Sequence, residues 1–316
     1  MLRITDSRPL PRDGWHVDDT AVTSLALRSD GEIWIGSAPH GRVYRGLPAG
    51  TVTRVTQTGA AYVWALLPQP DGSVLAATGL PARLVRITPD GRTMVVATFA
   101  EQHARAVVTA HDGATLVATA GPGMVYRLSG DLHRPLITSS ASSVDALLER
   151  STGEIAAVSG RHLYRLSPDG RLRDVPVGDK PLLSLLESGG RLLTGNTQGR
   201  VYEIDDANRV TRLADLETGG VTALCGGADG VSAAVAGPNT VLRMSAKRSR
   251  EGTWTSDVID AGLPSLWGGV RWAQDGPGTI SVQTRSGPTP VPDESWSAWS
   301  NAGAVSGAPS DPRLAA

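Results

Sequence analysis

A unit of about 40 residues, recurring along most of the chain, constrains what this sequence can become. Aligned on the glycine of an internal turn, six copies stand at Gly31, Gly72, Gly113, Gly153, Gly190 and Gly230, with spacings of 41, 41, 40, 37 and 40 residues. The first copy, residues 22–46, reads VTSLALRSDGEIWIGSAPHGRVYRG. It holds an apolar run, an Asp-Gly turn, a second apolar run, a connector and a third run ending Val43-Tyr44-Arg45. A unit of three or four short strands cannot bury its apolar faces alone, so the copies must stack on one another.

Matched positions say how. An apolar residue precedes each turn (Leu25, Leu66, Val107, Leu147, Leu185, Leu224), and a small one stands just before it (Ser24, Ala65, Ala106, Ala146, Ser184, Ala223). Small side chains at one register fit strands that converge on a common axis, which favours a closed ring over a linear solenoid. Further turns such as Pro89-Asp90-Gly91 and Pro168-Asp169-Gly170 introduce a weaker fourth strand. Four antiparallel strands per copy make the blade of an all-β propeller. Six blades are expected over residues 8–250, with seven as the alternative. The sixth copy lacks its own fourth strand, and Arg8 to Val17 is expected to supply it, removing an open edge. Tyr44, Tyr126, Tyr164 and Tyr202 read as packing between blades, and the arginines after three of them as solvating the strand. His40 and Trp34 depart from the repeat pattern.

Composition removes several functions. The formal charge of −1 and the mixed signs offer no footprint for nucleic acid. The single cysteine, Cys225, excludes a disulfide framework and a cysteine-based metal site, and its apolar context predicts a buried, inert thiol. No apolar run approaches the roughly 18 residues of a membrane span, and the N-terminus has no apolar signal core. A soluble monomer follows, cytoplasmic as the chain stands and periplasmic or secreted if residues precede it.

At residue 251 the period stops. The remainder carries five of the eight tryptophans, at 254, 267, 272, 296 and 299. Residues 251–300 read as a small, incomplete β-sandwich-like segment, and 301–316, rich in Gly, Pro, Ser and Ala, as a disordered tail.

The first copy, VTSLALRSDGEIWIGS followed by GRVYRG, resembles the repeats of two-component-regulator-type propellers and of related bacterial Trp-Asp-like, NHL-like and virginiamycin-lyase-like proteins. The Trp-Asp dipeptide and the paired glycines of kelch repeats are absent. The segment TWTSDVIDAGLPSLWGGVRW, with VQTRSG and DESWSAWS, looks like the start of a sandwich domain that follows such propellers.

The resemblance implies two kinds of function. Propeller enzymes of the gluconolactonase type hold a divalent cation in the channel on converging oxygens. Here the corresponding first-strand positions are Thr23, Trp64, Arg105, Asp145, Leu183 and Thr222. Asp145, with Asn196 and Asn239, makes a sparse metal set, so a metal-dependent lactonase-like or lyase-like enzyme stands as the alternative. No dinucleotide fingerprint, phosphate loop or nucleophile elbow is present, and no cofactor is expected. The preferred reading is a non-enzymatic scaffold for a protein, peptide or glycan, within a sensor or interaction protein. Its candidate contacts lie on the connector face: His40, Arg83, His103, His162, Lys180, Asn196, Gln198 and Asn239. Trp296 and Trp299 are candidates for stacking on sugar rings.

Overall fold

The computed structural model describes residues 2–4, 17–28, 30–47, 51–130, 132–216, 219–227, 230–237, 240–248, 253, 255–256, 258–263, 265–266, 270–271, 279–300, 303–306 and 313–314. Contacts divide the chain into two compact units, Met1–Gly252 and Thr253–Ala316.

The first unit is a β-propeller. Five repeats each fold into four antiparallel strands in chain order, giving blades over 21–57, 62–98, 103–138, 146–176 and 182–215. A single pairing, His103 with Gly79, joins the first strand of the third blade to the second strand of the second. The sixth sheet has three strands of its own, Val221–Gly227, Gly230–Val235 and Thr240–Arg248. Its fourth is Leu2–Ile4, antiparallel to the third with Leu2 opposite Arg248 and Ile4 opposite Met244. The closing strand therefore lies nearer the N-terminus than Arg8 to Val17, of which 8–16 fall outside the described residues.

Local chemistry makes the hairpins. The six turn glycines have φ between 74° and 122°, where a side chain would strain the backbone. Ahead of them, Asp30, Asp71 and Asp112 accept the N–H of the residue two further on, at 3.0, 2.9 and 3.2 Å. The repeat arginines do more than solvate a strand: Arg86 reaches Asp71 at 2.8 Å, and Arg127 pairs with Asp112 in the same way. In blades one, three and four a tyrosine ties the blade to the connector before it. Tyr44 donates to the carbonyl of Asp18 (2.8 Å) and Tyr126 to Oε1 of Glu101 (2.7 Å), while Tyr164 bonds the Ser140 hydroxyl (3.2 Å).

The core lies between blades rather than within them. Trp34 and Val43 of blade one pack on Val63, Leu66, Ala76 and Val85 of blade two, and equivalent clusters join each later pair. Trp34, a departure from the repeat, is wholly buried there. Between blades four and five a polar device joins the apolar one. Arg150, 3% exposed, bonds Glu154 (3.2 Å), Glu187 (3.2 Å), Asp206 (2.9 Å) and the carbonyl of Gly190 (2.6 Å).

The seam between blades six and one is built differently. Leu25 is 61% exposed, whereas its counterparts Leu66, Val107 and Leu147 are 9%, 6% and 7% exposed. On the other side of the seam Val241 is 45% exposed, and its five counterparts, Val43, Leu84, Val125, Leu163 and Val201, are all 0%. Cys225, expected to be buried, is exposed for this reason. Its neighbour Leu224 packs toward blade five, so strand alternation turns Cys225 toward the seam.

In the second unit, Thr279–Val282 pairs with Gly303–Ser306, and Val270–Arg271 with Arg313–Leu314. Residues 284–300 fold back on themselves: the Ser300 N–H donates to the Thr284 carbonyl and the Ser297 N–H to the Ser286 carbonyl, both at 2.8 Å.

Candidate functional site

The innermost strand of five blades carries a register shift at one place, falling between Val22 and Ser24, Val63 and Ala65, Ala104 and Ala106, Leu182 and Ser184, and Val221 and Ala223. The skipped residues are Thr23, Trp64, Arg105, Leu183 and Thr222. A bulge of this kind re-aims one side chain out of the ladder. On the inner strand of a propeller, that side chain belongs to the channel. Hydroxyls stitch the bulges together, Thr23 and Ser24 donating to the carbonyl of Val63 (2.6 and 2.8 Å) and Ser184 to that of Val221 (3.0 Å).

Trp64 and Arg105 at the bulges of blades two and three are followed, at the matching position just before the first strand of blade four, by Asp145: aromatic, cation, anion. These three touch in sequence. The Arg105 guanidinium carbon lies 4.3 Å from the Trp64 ring centre, and its Nη2 bonds Asp145 Oδ1 at 3.1 Å. Two residues nearer the connector face, Tyr62 and His103 form a second layer. Tyr62 stacks on Trp64 with centres 4.7 Å apart and planes 4° from parallel. The Trp64 indole Nε1–H donates to His103 Nδ1 at 3.0 Å, across the boundary between blades.

The electrostatics follow from these contacts. Burial, and then the Arg105 charge, pull the imidazole of His103 below its ordinary value, so it is neutral at pH 7. Because Nδ1 accepts from Trp64, the proton of the neutral ring sits on Nε2. The carboxylate of Asp145 is engaged by Arg105. Gly79 completes the arrangement, for a Cβ there would stand 2.1 Å from His103 Nδ1 and 2.5 Å from Trp64 Nε1.

Of the residues expected on the connector face, His103 joins this cluster, and the other described ones lie apart from it. His40 bonds Asp19 (2.8 Å), whose side chain is covered. Burial raises the Asp19 carboxyl, but hydrogen bonds from Ser37, His40 and Thr20 outweigh it and hold the group at about 2. His162 bonds Asp174 at 2.6 Å within blade four. Asn196 is buried and shapes its own turn, Oδ1 accepting the N–H groups of Gln198 and Arg200, both at 2.9 Å. Arg83 and Lys180 are half-buried and Gln198 is exposed, while Asn239 lies outside the described residues. Asp145, the sparse metal candidate, is paired with a cation instead, and among the described residues no three His, Cys, Asp or Glu side chains group at metal-binding distances.

The tryptophans of the second unit clamp a cation. Arg285 lies 4.6 Å from the Trp299 ring centre and 5.6 Å from that of Trp296. Trp296 also donates to Thr289 Oγ1 (2.8 Å) and closes on Gly287, while Trp299 is 47% exposed. Trp254, Trp267 and Trp272 lie outside the described residues.

Sequence reasoning gave Trp64 and Arg105 a position but no role, and passed over Tyr62. The usable signal was an aromatic, a cation and an anion at one register of three consecutive copies, which adjacent blades must bring side by side.

The chain matches no protein-family model and no curated protein. Solved structures resemble it in fold. Virginiamycin B lyase from Staphylococcus aureus superposes with a TM-score of 0.60 at 14% identity, covering 73% of this chain and 86% of that one. The extracellular domain of a putative hybrid two-component system from B. thetaiotaomicron gives 0.61 at 12% identity, covering 76% of this chain and 36% of that one. A chain of the nidogen/laminin complex gives 0.54 at 14% identity, covering 67% and 87%. At such identities the likeness establishes the β-propeller fold and nothing of the activity. Among the described residues no helix is long and apolar enough to cross a membrane.

Proposed function

We propose that this propeller is a non-enzymatic binding module whose ligand enters the channel mouth over blades two to four. The observation that carries this reading is the mutual satisfaction of the polar groups there. Asp145 is held by Arg105, and the one basic nitrogen of neutral His103 is occupied by the indole of Trp64. A general base needs a free lone pair within reach of a substrate proton; His103 has committed its own to Trp64, and the Asp145 carboxylate is tied through Oδ1 to a guanidinium. What remains is a half-buried group of rings beside the Arg105 guanidinium, which suits recognition of a peptide, a glycan or a smaller flat molecule.

Peptide and glycan arrays probed with the full chain test this, together with hydrolase and lyase assays on lactones and cyclic depsipeptides with and without calcium or magnesium. Capture of a ligand class, weakened by Tyr62→Ala and without turnover, is the expected result. Turnover that depends on His103 or Asp145 would overturn the reading in favour of a lyase-like or lactonase-like enzyme.

A further inference from the structure

We infer that the outer edge of blade two pairs with the same edge of a second copy of this chain, making a two-fold dimer through a continuous antiparallel sheet. The outer strand, Thr93–Thr98, reads TMVVAT and is the last of its sheet. An open strand edge invites pairing, and proteins blunt it with charge or proline. In this chain the blunting residue has a fixed place, opposite the third-strand residue at the tyrosine position. Arg54 stands opposite Tyr44, Pro135 opposite Tyr126, Asp174 opposite Tyr164 and Arg212 opposite Tyr202. Blade two alone among these five has an apolar residue there, Val95 opposite Val85. Met94, Val95 and Val96 make three exposed apolar side chains in a row, and no charged residue interrupts the strand. A bulge follows at Val96, but the outer strands of blades one, three and five carry the same bulge, so it does not set this edge apart.

The backbone decides how two such edges fit. At the hairpin the Thr88 N–H donates to the Arg92 carbonyl at 3.0 Å, which sets the phase of the ladder. Residues facing one another across antiparallel strands alternate between bonded and non-bonded pairs. Arg86 and Met94 are therefore a bonded pair, while Thr93, opposite Ile87, and Val95, opposite Val85, turn their N–H and C=O groups outward. A two-fold axis at Met94 sets Thr93 of each copy opposite Val95 of the other. Each of these pairs exchanges both its hydrogen bonds, so the outward groups of the regular stretch are all used. Met94 meets its own counterpart on one face of the joined sheet, and Arg92 falls opposite Val96, so no like charges oppose each other. Such an isologous contact consumes both edges and closes at two copies. It departs from the monomer expected from the sequence.

Sedimentation velocity on the full chain, from micromolar to near-millimolar concentration, tests the inference, with hydrogen exchange read on the same samples. A reductant is present throughout, because the Cys225 thiol is exposed. Dimers should accumulate with concentration, and the amides of Thr93 and Val95 should gain protection in step with them. Val95→Arg and Val95→Pro place at this register what blades one, five and three carry there, so the blade should fold around either. Urea unfolding of the dilute variants should match the parent chain. Proline also removes an outward N–H that the pairing needs. Each variant should weaken dimerisation about tenfold or more. A monomer at every concentration, or a dimer that both variants leave intact, would overturn the inference. If the chain stays monomeric while a synthetic TMVVAT peptide protects the same amides, the edge accepts a strand but not a second copy, and the dimer falls.

Discussion

The indole N–H of Trp64 donates to Nδ1 of His103 across the boundary between two blades, 3.0 Å from nitrogen to nitrogen. This bond fixes the tautomer of the imidazole and the rotamer of the indole together. It also makes the pair sensitive to pH, because a proton on Nδ1 would remove the acceptor.

His103 should therefore titrate below the ordinary imidazole value, burial being the larger cause and Arg105 the smaller. A histidine whose folded value is depressed binds fewer protons folded than unfolded in the window between the two values. Its contribution to stability is complete above about 6.5 and is lost as pH falls toward the folded value. Nitrogen-15 NMR should show the Nε2–H tautomer at pH 7. Trp64 fluorescence should change on acidification with a midpoint below that of an exposed histidine, and the change should vanish in His103→Gln. A midpoint at or above about 6.5 would contradict the geometry.

Gly79→Ala should break the same bond from behind. The backbone there is not in the left-handed region, so alanine meets no torsional penalty, and the whole cost is collision with His103 and Trp64. Overpacking of this kind costs about 1–3 kcal/mol. Urea unfolding should show that loss with an unchanged slope, while Ala120→Gly, at the matching place in the next blade, should leave the pair intact.

Leu66→Ala and Leu25→Ala remove the same atoms from equivalent places in successive repeats. At 9% exposure Leu66 stands in the core between blades one and two, and its truncation should cost about 2–5 kcal/mol. Leu25, at 61%, should cost under about 1 kcal/mol. Chemical denaturation of the two variants measures the difference, and equal losses would show that the seam is covered in solution.

Arg150→Met should be strongly destabilising although it adds apolar surface. Glu154, Glu187 and Asp206 all bond the Arg150 guanidinium, and removing it leaves Glu187 without a cation while Glu154 and Asp206 keep only Arg165. Loss of one partner from a buried ionic group costs about 3–5 kcal/mol. Part of this should return in Arg150→Met/Glu187→Gln, read by thermal unfolding.

The sequence by itself determined the repeat, the blade and the stacking. A turn glycine at near-constant spacing and apolar runs on both sides of it are local signals, and they leave one way to hide the apolar faces. Gly31 and its counterparts have the positive φ their turns required, and Tyr44 and Tyr126 took the connecting roles their polar ends suit. Only the tertiary structure decided that Trp64, Arg105 and Asp145 meet, because a bulge frees Trp64 and Arg105 from their ladders, Asp145 stands just before its strand, and neighbouring blades bring together side chains 41 and 40 residues apart. It also decided that Leu25 and Cys225 face outward at the seam while their repeat positions predicted burial. Burial in a stacked repeat belongs to the pair of blades that share a face, and one repeat carries no record of whether its partner is there.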